Sequence, residues 1–273
     1  MEGMGISGAP HARRTGRGRG AEGQQAVRRG LVRAAVAGFA ASALALGLAG
    51  CGGDGAGKGG ARGGGSESGG KARAAAADRT KLPDVRSGFQ RKIPANTRQV
   101  VAVYGEGVDS ADATVRLYTR KAAGKDWRRK GSWAAHNGKK GWTRHHHQGD
   151  KRSPVGVFTL SDAGGVLADP GAKLPYSRSA AFTPPAYWPK KTRHDFDHVI
   201  AIDYNRVKGR SPLDPTRPMG QSRGGDIWLH LDHGSGTSGC VSLRGSAVVE
   251  LLRTLDPKQH PRIVMGDRAA LAG

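Results

Sequence analysis

The chain has 273 residues and a formal net charge of +22, with 44 glycines and only 5% aromatic residues. That length holds one sizeable domain, but the composition excludes a packed core along the whole chain. The 44 Lys and Arg are scattered without a recognition motif, and the two cysteines lie in segments of different character. These features argue against nucleic-acid binding and a disulfide framework, and suit polyanionic surroundings such as a bacterial envelope.

Residues 1–50 read as an export signal. Arg28, Arg29 and Arg33 form a basic region, and Ala34 to Leu48 supply the apolar run. "LAGC", Leu48 to Cys51, resembles the bacterial lipobox, in which the cysteine carries lipid and becomes the mature N-terminus. Cys51 is therefore the expected lipidation site, and the outer face of the cytoplasmic membrane the expected location. The apolar run is shorter than the ~20 residues of a spanning helix. An uncleaved anchor and cleaved soluble export are the alternatives. The long segment before the signal implies a later start codon or a weak twin-arginine signal at "RRGLV". Residues 51–97 are expected to be a flexible, Gly-rich linker and a loosely ordered lead-in, because such composition cannot offset its ordering entropy.

From residue 98 to 267 the sequence turns β-rich. "RQVVAVYG", "TVRLYTR", "VGVFTL", "HVIAIDYN", "DIWLHLD", "GCVSL" and "RIVMGD" are enriched in β-branched and aromatic residues, with turn signals between them. One helix is expected in "GSAVVELLRTLDP", capped by Ser246 and ended by Pro257. The fold class is mainly β, a sandwich or barrel with one or two peripheral helices, preceded by a disordered N-terminal region. Ser161 to Asp195 reads as a long loop, and residues 268–273 as a tail.

The chemistry concentrates in "IWLHLDHGSGTSGCVSL", Ile227 to Leu243. A thiol with pKa ~8.5 is mostly protonated at neutral pH and needs a base to become a nucleophile. His230 and His233 both precede Cys240 closely. With a strand ending near Asp232, a glycine-rich turn and a second strand at Cys240, one imidazole would meet the sulfur. Alternation places His230 with Trp228 and Asp232, opposite Leu229 and Leu231. Gly239 lets a substrate carbonyl approach, and backbone N–H groups around Ser238, Gly239 and Cys240 can face a developing oxyanion. A nucleophile, a metal ligand and an inert thiol all remain open on these residues alone.

"GTSGCVSL" with "IWLHLDH" resembles the motif of the L,D-transpeptidase catalytic-domain family, cysteine enzymes that cross-link peptidoglycan. "GDKRSPVGVFTL", Gly149 to Leu160, is similar to the family's upstream motif, and "HVIAIDYN" to an intervening strand. The resemblance spans about residues 98 to 267. It implies Cys240 as nucleophile and His230 as general base, with His233 the alternative base and Thr237, Ser238 and Gly239 as the oxyanion-side motif. Ser242 stands where many members carry Arg or Asn. The implied activity is a cysteine acyltransferase that forms a thioester with a peptidoglycan stem peptide and passes it to a second stem, giving three-to-three cross-links. An L,D-carboxypeptidase-type hydrolase and a non-catalytic wall-binding lipoprotein are the alternatives. No cofactor, no metal and no nucleic acid are implied, and a monomer is expected.

Other residues invite plainer readings. His145, His146 and His147 are expected to be solvated in a basic turn. Asp203 and Asn205 are expected to be structural, and Trp127, Trp133 and Trp142 to pack in the core. Tyr187 and Trp188 are candidates for a lid.

Overall fold

A computed structural model describes residues 78–273; the export signal, Cys51 and most of the Gly-rich linker lie outside the described residues. The apolar runs form strands β1 (Gln99–Gly105), β2 (Asp112–Thr119), β3 (Arg128–His136), β4 (Trp142–Thr143), β5 (Ser153–Pro154) and β6 (Gly156–Gly165). They continue with β7 (Tyr176–Arg178), β8 (Val199–Ile202), β9 (Trp228–Leu231), β10 (Val241–Leu243) and β11 (Arg262–Asp267). The main sheet runs β11-β1-β2-β3-β10-β9-β8-β6-β7, and β6 pairs back onto β11. That last pairing closes an eight-strand barrel, which leaves few open edges. The strands β4 and β5 form a separate parallel pair.

Alternation sets which face each residue takes. On β2, Ala113, Val115 and Leu117 point into the barrel core, where they meet Val101, Val103, Leu229, Val241 and Leu243. The strand β1 is buried along its whole length because its other face is covered too. There Val100, Ala102 and Tyr104 pack under Leu82, Val85 and Phe89. Those residues belong to the segment expected to be loose, which instead includes the short helix α1 (Ser87–Gln90). The expected tail forms helix α3 (Arg268–Ala272), whose Leu271 joins the same cluster. Apolar residues spaced too irregularly to show periodicity thus seal the outside of β1 and β11.

The expected helix is present as α2 (Gly245–Thr254), with Ala247, Val248, Leu251 and Leu252 fully buried in the core. Ser246 does not cap it. Arg244 is the N-cap residue and no side chain caps the end. A Cβ at Gly245 would lie 3.3 Å from Leu231 Cγ, so the helix begins where its backbone settles on β9, and Ser246 falls inside its first turn. The expected long loop is also more structured than its composition suggests. The strand β6 runs on to Gly165, β7 follows, and Phe182 and Phe196 pack edge-on against Trp228 at 5.6 and 5.1 Å. Trp127, Trp133 and Trp142 are buried as expected. Among the described residues no helix is long and apolar enough to cross a membrane.

Candidate active site

The strands β9 and β10 lie side by side and parallel, with Val241 opposite Leu229, Ser242 opposite His230 and Leu243 opposite Leu231. The connection between them is therefore a compact crossover and not a hairpin. It is held at its far end by Thr237, whose N–H donates to the Asn137 carbonyl and whose carbonyl accepts from Lys139. Because Leu229, Val241 and Leu243 face inward, Trp228, His230, Cys240 and Ser242 face outward. Cys240 and His230 thus share the outer face of neighbouring strands on a diagonal: Ser242 is the residue opposite His230, which puts Cys240 on the order of 8 Å from His230 between backbones.

Cys240 sits half-buried against the cluster of Phe182, Val199, Ala201 and Trp228. The Trp228 N–H donates to Cys240 Sγ at 3.4 Å, and the thiol donates to the Asp226 carbonyl at 3.3 Å. Asp226 adopts φ 54°, a left-handed conformation that is uncommon outside glycine. Burial pushes the Cys240 thiol up to about 12, against the Trp228 N–H bond that favours the thiolate.

His230 is 2% exposed. Its Nδ1 lies 2.7 Å from the Leu231 carbonyl, which can only accept, so Nδ1 carries the proton and Nε2 keeps its lone pair. Burial pushes the ring down to about 4. Phe196 meets it edge-on at 5.2 Å, and His233 stacks on it at 6.5 Å with an interplanar angle of 14°. Among the described residues no hydrogen bond joins Sγ to either imidazole. His233 is engaged elsewhere: its Nδ1 lies 2.9 Å from Asp195 Oδ2, and both side chains are nearly buried. Burial raises the Asp195 carboxyl to about 6, with the His233 imidazole acting in the opposite sense.

The turn before the cysteine is tied down from two sides. Thr237 Oγ1 accepts from the Gly239 N–H at 3.1 Å and donates to the Cys240 carbonyl at 2.7 Å. Ser153, the residue before the proline of the upstream motif, is fully buried and donates to the Gly239 carbonyl at 2.7 Å. Its oxygen also accepts from the Gly138 N–H at 2.9 Å. One hydroxyl thus joins the motif around residue 153 to the motif around residue 240. Gly239 has φ 156°, and a Cβ there would lie 3.1 Å from Ile227 Cδ1 and 3.3 Å from the Arg152 carbonyl. The glycine is required by backbone conformation and by close approach together. Ser238 is exposed. The Gly239 N–H is already committed to Thr237.

His146 departs from expectation. His145 and His147 are exposed, but His146 is 4% exposed, with Nδ1 3.0 Å from Asp150 Oδ1. Its ring packs edge-on against Tyr204 and borders Gly239. The Asp150 carboxylate lies within ion-pair distance of an imidazole that a basic turn would otherwise leave in water. Asp203 and Asn205 are structural. Asp203 joins Asp162 around Arg206, and Asn205 binds the Met219 N–H and the Gly220 carbonyl. Tyr187 is exposed, while Trp188 is half-buried and packs against Phe196.

Sequence reasoning missed a polar row on the same outer face. Asp112 pairs in register with His136, His136 with Ser242, and Ser242 with His230 across four adjacent strands. Asp232 binds into this row, with Oδ1 2.8 Å from His136 Nδ1 and accepting from Ser242 Oγ at 2.7 Å. These partners are distant in sequence, so only the register brings them together. In comparisons with known proteins, the chain matches no family model and no curated protein.

Proposed function

We propose that the chain is a cysteine acyltransferase of the L,D-transpeptidase type, acting on peptidoglycan stem peptides from a lipid anchor at Cys51. One observation carries the reading: Cys240 and His230 share one face of adjacent strands, and the Leu231 carbonyl fixes the imidazole tautomer that leaves Nε2 as a base. The motif resemblance supplies the substrate class.

As a stem-peptide carbonyl reaches Cys240, Nε2 of His230 takes the thiol proton while the sulfur lone pair forms the C–S bond. The N–H groups of Ser238 and Cys240 stabilise the oxyanion; one such donor is worth ~3 kcal/mol in the transition state. The tetrahedral species collapses, the C–N bond to the terminal amino acid breaks, and the leaving amine takes its proton from His230. A thioester remains. The amine of a second stem then attacks the thioester carbon, a C–N bond forms, and the C–S bond breaks. The proton lost by that amine returns through His230 to the sulfur.

The test is acylation followed by intact mass. A carbapenem and a disaccharide tetrapeptide should each add one acyl group at Cys240, and the tetrapeptide should give cross-linked dimer. Cys240→Ala should abolish both. Tripeptide without dimer would identify water as the acceptor and make the protein a hydrolase. Dimer formed equally by Cys240→Ala would remove the assignment.

A further inference from the structure

The end of the barrel away from Cys240 gathers cations that have no acidic partner. The strand β3 begins there with Arg128, opposite Thr119, and ends at His136, opposite Ser242 and close in register to the sulfur. At ~3.3 Å per residue these two ends lie on the order of 25 Å apart along the strand. Lys121, Lys125, Arg128 and Arg129 are exposed at the far end, and Arg98 and Lys258 stand on the neighbouring segments. Among the described residues none of these side chains makes an ion pair. The nearby carboxylates do little to offset them. Asp126 is exposed, Asp256 accepts from the Lys258 backbone N–H at 2.9 Å, and Asp78 pairs with Lys81 at 3.2 Å.

A cleft of about 280 Å³ opens at this end, lined by Asn96, Arg98, Ala122, Ala123, Lys258 and His260, with no carboxylate among them. The Arg98 guanidinium is fixed by backbone: Nε and Nη2 donate to the Lys121 carbonyl at 3.1 and 2.8 Å. Arg120 is held in the same way by the Thr97 and Ala95 carbonyls at 2.7 and 2.9 Å, with its guanidinium 4.4 Å from the centre of the Trp127 ring. Carbonyls orient both groups without cancelling their charge, and Arg98 keeps its Nη1 donors for an anion. The N-terminal segment joins the domain here as well. The Arg79 carbonyl accepts from the Trp127 N–H at 2.9 Å, one residue before Arg128.

We propose that this end of the barrel docks on an anionic phospholipid surface, with a headgroup phosphate seated between Arg98 and Lys258. The orientation rests on the reading of Cys51 as a lipid anchor. A phosphate suits the cleft because the guanidinium supplies directed donors and the lysine a point charge. Each Lys or Arg held near an anionic leaflet strengthens attachment roughly fivefold. A polyanionic wall polymer offers the same charge, but the segment leading back to Cys51 meets the domain beside Arg128, so the anchor draws this end to the bilayer. Docking then turns Cys240 away from the lipid.

The test is hydrogen exchange on the full lipidated chain, mixed with vesicles of phosphatidylcholine alone or with phosphatidylglycerol added. Amides 121–126 and 257–260 should exchange more slowly on the anionic vesicles than on the neutral ones. Salt at about 1 M, where screening acts within ~3 Å, should remove the difference. Arg128→Gln with Arg129→Gln should weaken docking roughly 25-fold and return exchange to the rate on neutral vesicles, and Lys258→Gln should weaken it roughly fivefold. Lys140→Gln with Lys151→Gln, at two exposed positions near the Thr237 turn, should leave the slowing intact.

Flotation of the same mixtures separates this proposal from the anchor. Chain that floats with both vesicles and exchanges equally on them would overturn the docking and leave the anchor standing. Chain that floats only with anionic vesicles would keep the docking and remove the anchor, and chain that floats with neither would overturn both. Slowing by soluble poly(glycerol phosphate) without slowing by anionic vesicles would overturn the membrane surface and assign this end to a wall polymer.

Discussion

Ser153→Ala tests whether the two motifs act through one hydroxyl. In the native protein Ser153 Oγ donates to the Gly239 carbonyl at 2.7 Å and accepts from the Gly138 N–H at 2.9 Å, at a fully buried position. Alanine removes the hydroxyl and leaves both backbone groups facing a space too dry to hydrate them. Each unsatisfied buried group costs about 1–3 kcal/mol, so the pair should cost on the order of 3 kcal/mol. For a domain of this size the melting temperature falls about 2–4 °C per kcal/mol, giving a drop on the order of 10 °C. Function should suffer more than stability. Gly239 precedes the sulfur, and a displacement of about 1 Å at a reacting centre costs up to ~100-fold in rate. Carbapenem acylation followed by intact mass should therefore slow ten- to hundredfold at a temperature where the variant is fully folded, within the ~100-fold limit above. Ser153→Thr keeps the hydroxyl and should recover most of the rate. A Ser153→Ala variant that melts within about 2 °C of wild type, well under the expected shift, and acylates at the wild-type rate would refute the tether.

Three further expectations follow from the same geometry. His230 is pushed down to about 4, so the rate of acylation should stay flat from neutral pH downward and lose its base only near pH 4, as a pH–rate profile would show. Stability carries the matching signature. The folded value lies below the unfolded ~6.5, so the unfolded chain alone takes up a proton as pH falls through 6.5, and about 3 kcal/mol is lost by pH 4. Melting curves of wild type and His230→Gln should converge in that window. Gly239→Ala should cost about 1–3 kcal/mol of backbone strain and slow acylation severely, because its Cβ would press on Ile227 and the Arg152 carbonyl; a variant that acylates normally would show that the turn has room to move. Asp195→Asn leaves His233 buried without its carboxylate and should destabilise the fold by about 3 kcal/mol or more, read by thermal melting, whereas the exposed Asp109→Asn should move it little.

The strands and the outward pairing of His230 with Trp228 were legible because a period of two, once one face is apolar, leaves each side chain a single direction. The helix α2 was legible for the corresponding reason at a period near four. The sense of the β9–β10 pairing was not. A short glycine-rich link between two apolar runs favours a hairpin locally, and the parallel arrangement arises because Thr237 bonds to Asn137 and Lys139 on a distant segment. Buried polar residues were the other blind spot. His146 and Asp195 sit in stretches crowded with Lys, Arg and His, where composition signals solvent, and Asp232 stands between an apolar strand and a glycine-rich link. Each is buried or half-buried because one partner from the fold compensates it: Asp150, His233, and the pair His136 with Ser242. Such compensation is a property of pairs, and two of the four partners here, His136 and Ser242, lie on other strands.

The resting position of the thiol proton bears on how the proposed chemistry begins. An imidazole next to a cysteine invites the expectation of a thiolate–imidazolium pair formed before substrate arrives. Here burial raises the thiol and lowers the ring, so both shifts oppose proton transfer before substrate arrives. Attraction between two such charges offsets part of this, but the His230 ring is buried beside Phe196 and Cys240 is half-buried against the Trp228 cluster. The neutral pair is the ground state. The thiol proton rests on the Asp226 carbonyl, and the Trp228 N–H already points at the sulfur. That N–H strengthens as negative charge grows on sulfur, while the Asp226 contact must be given up for His230 to receive the proton. Proton transfer and C–S bond formation therefore belong to one event, set off by a carbonyl that draws the sulfur's electrons. Reagents that need a preformed thiolate, such as iodoacetamide, should alkylate Cys240 slowly near pH 7, while a carbonyl electrophile seated in the oxyanion turn acylates it quickly. Fast alkylation by iodoacetamide at that pH would show that the ion pair exists at rest.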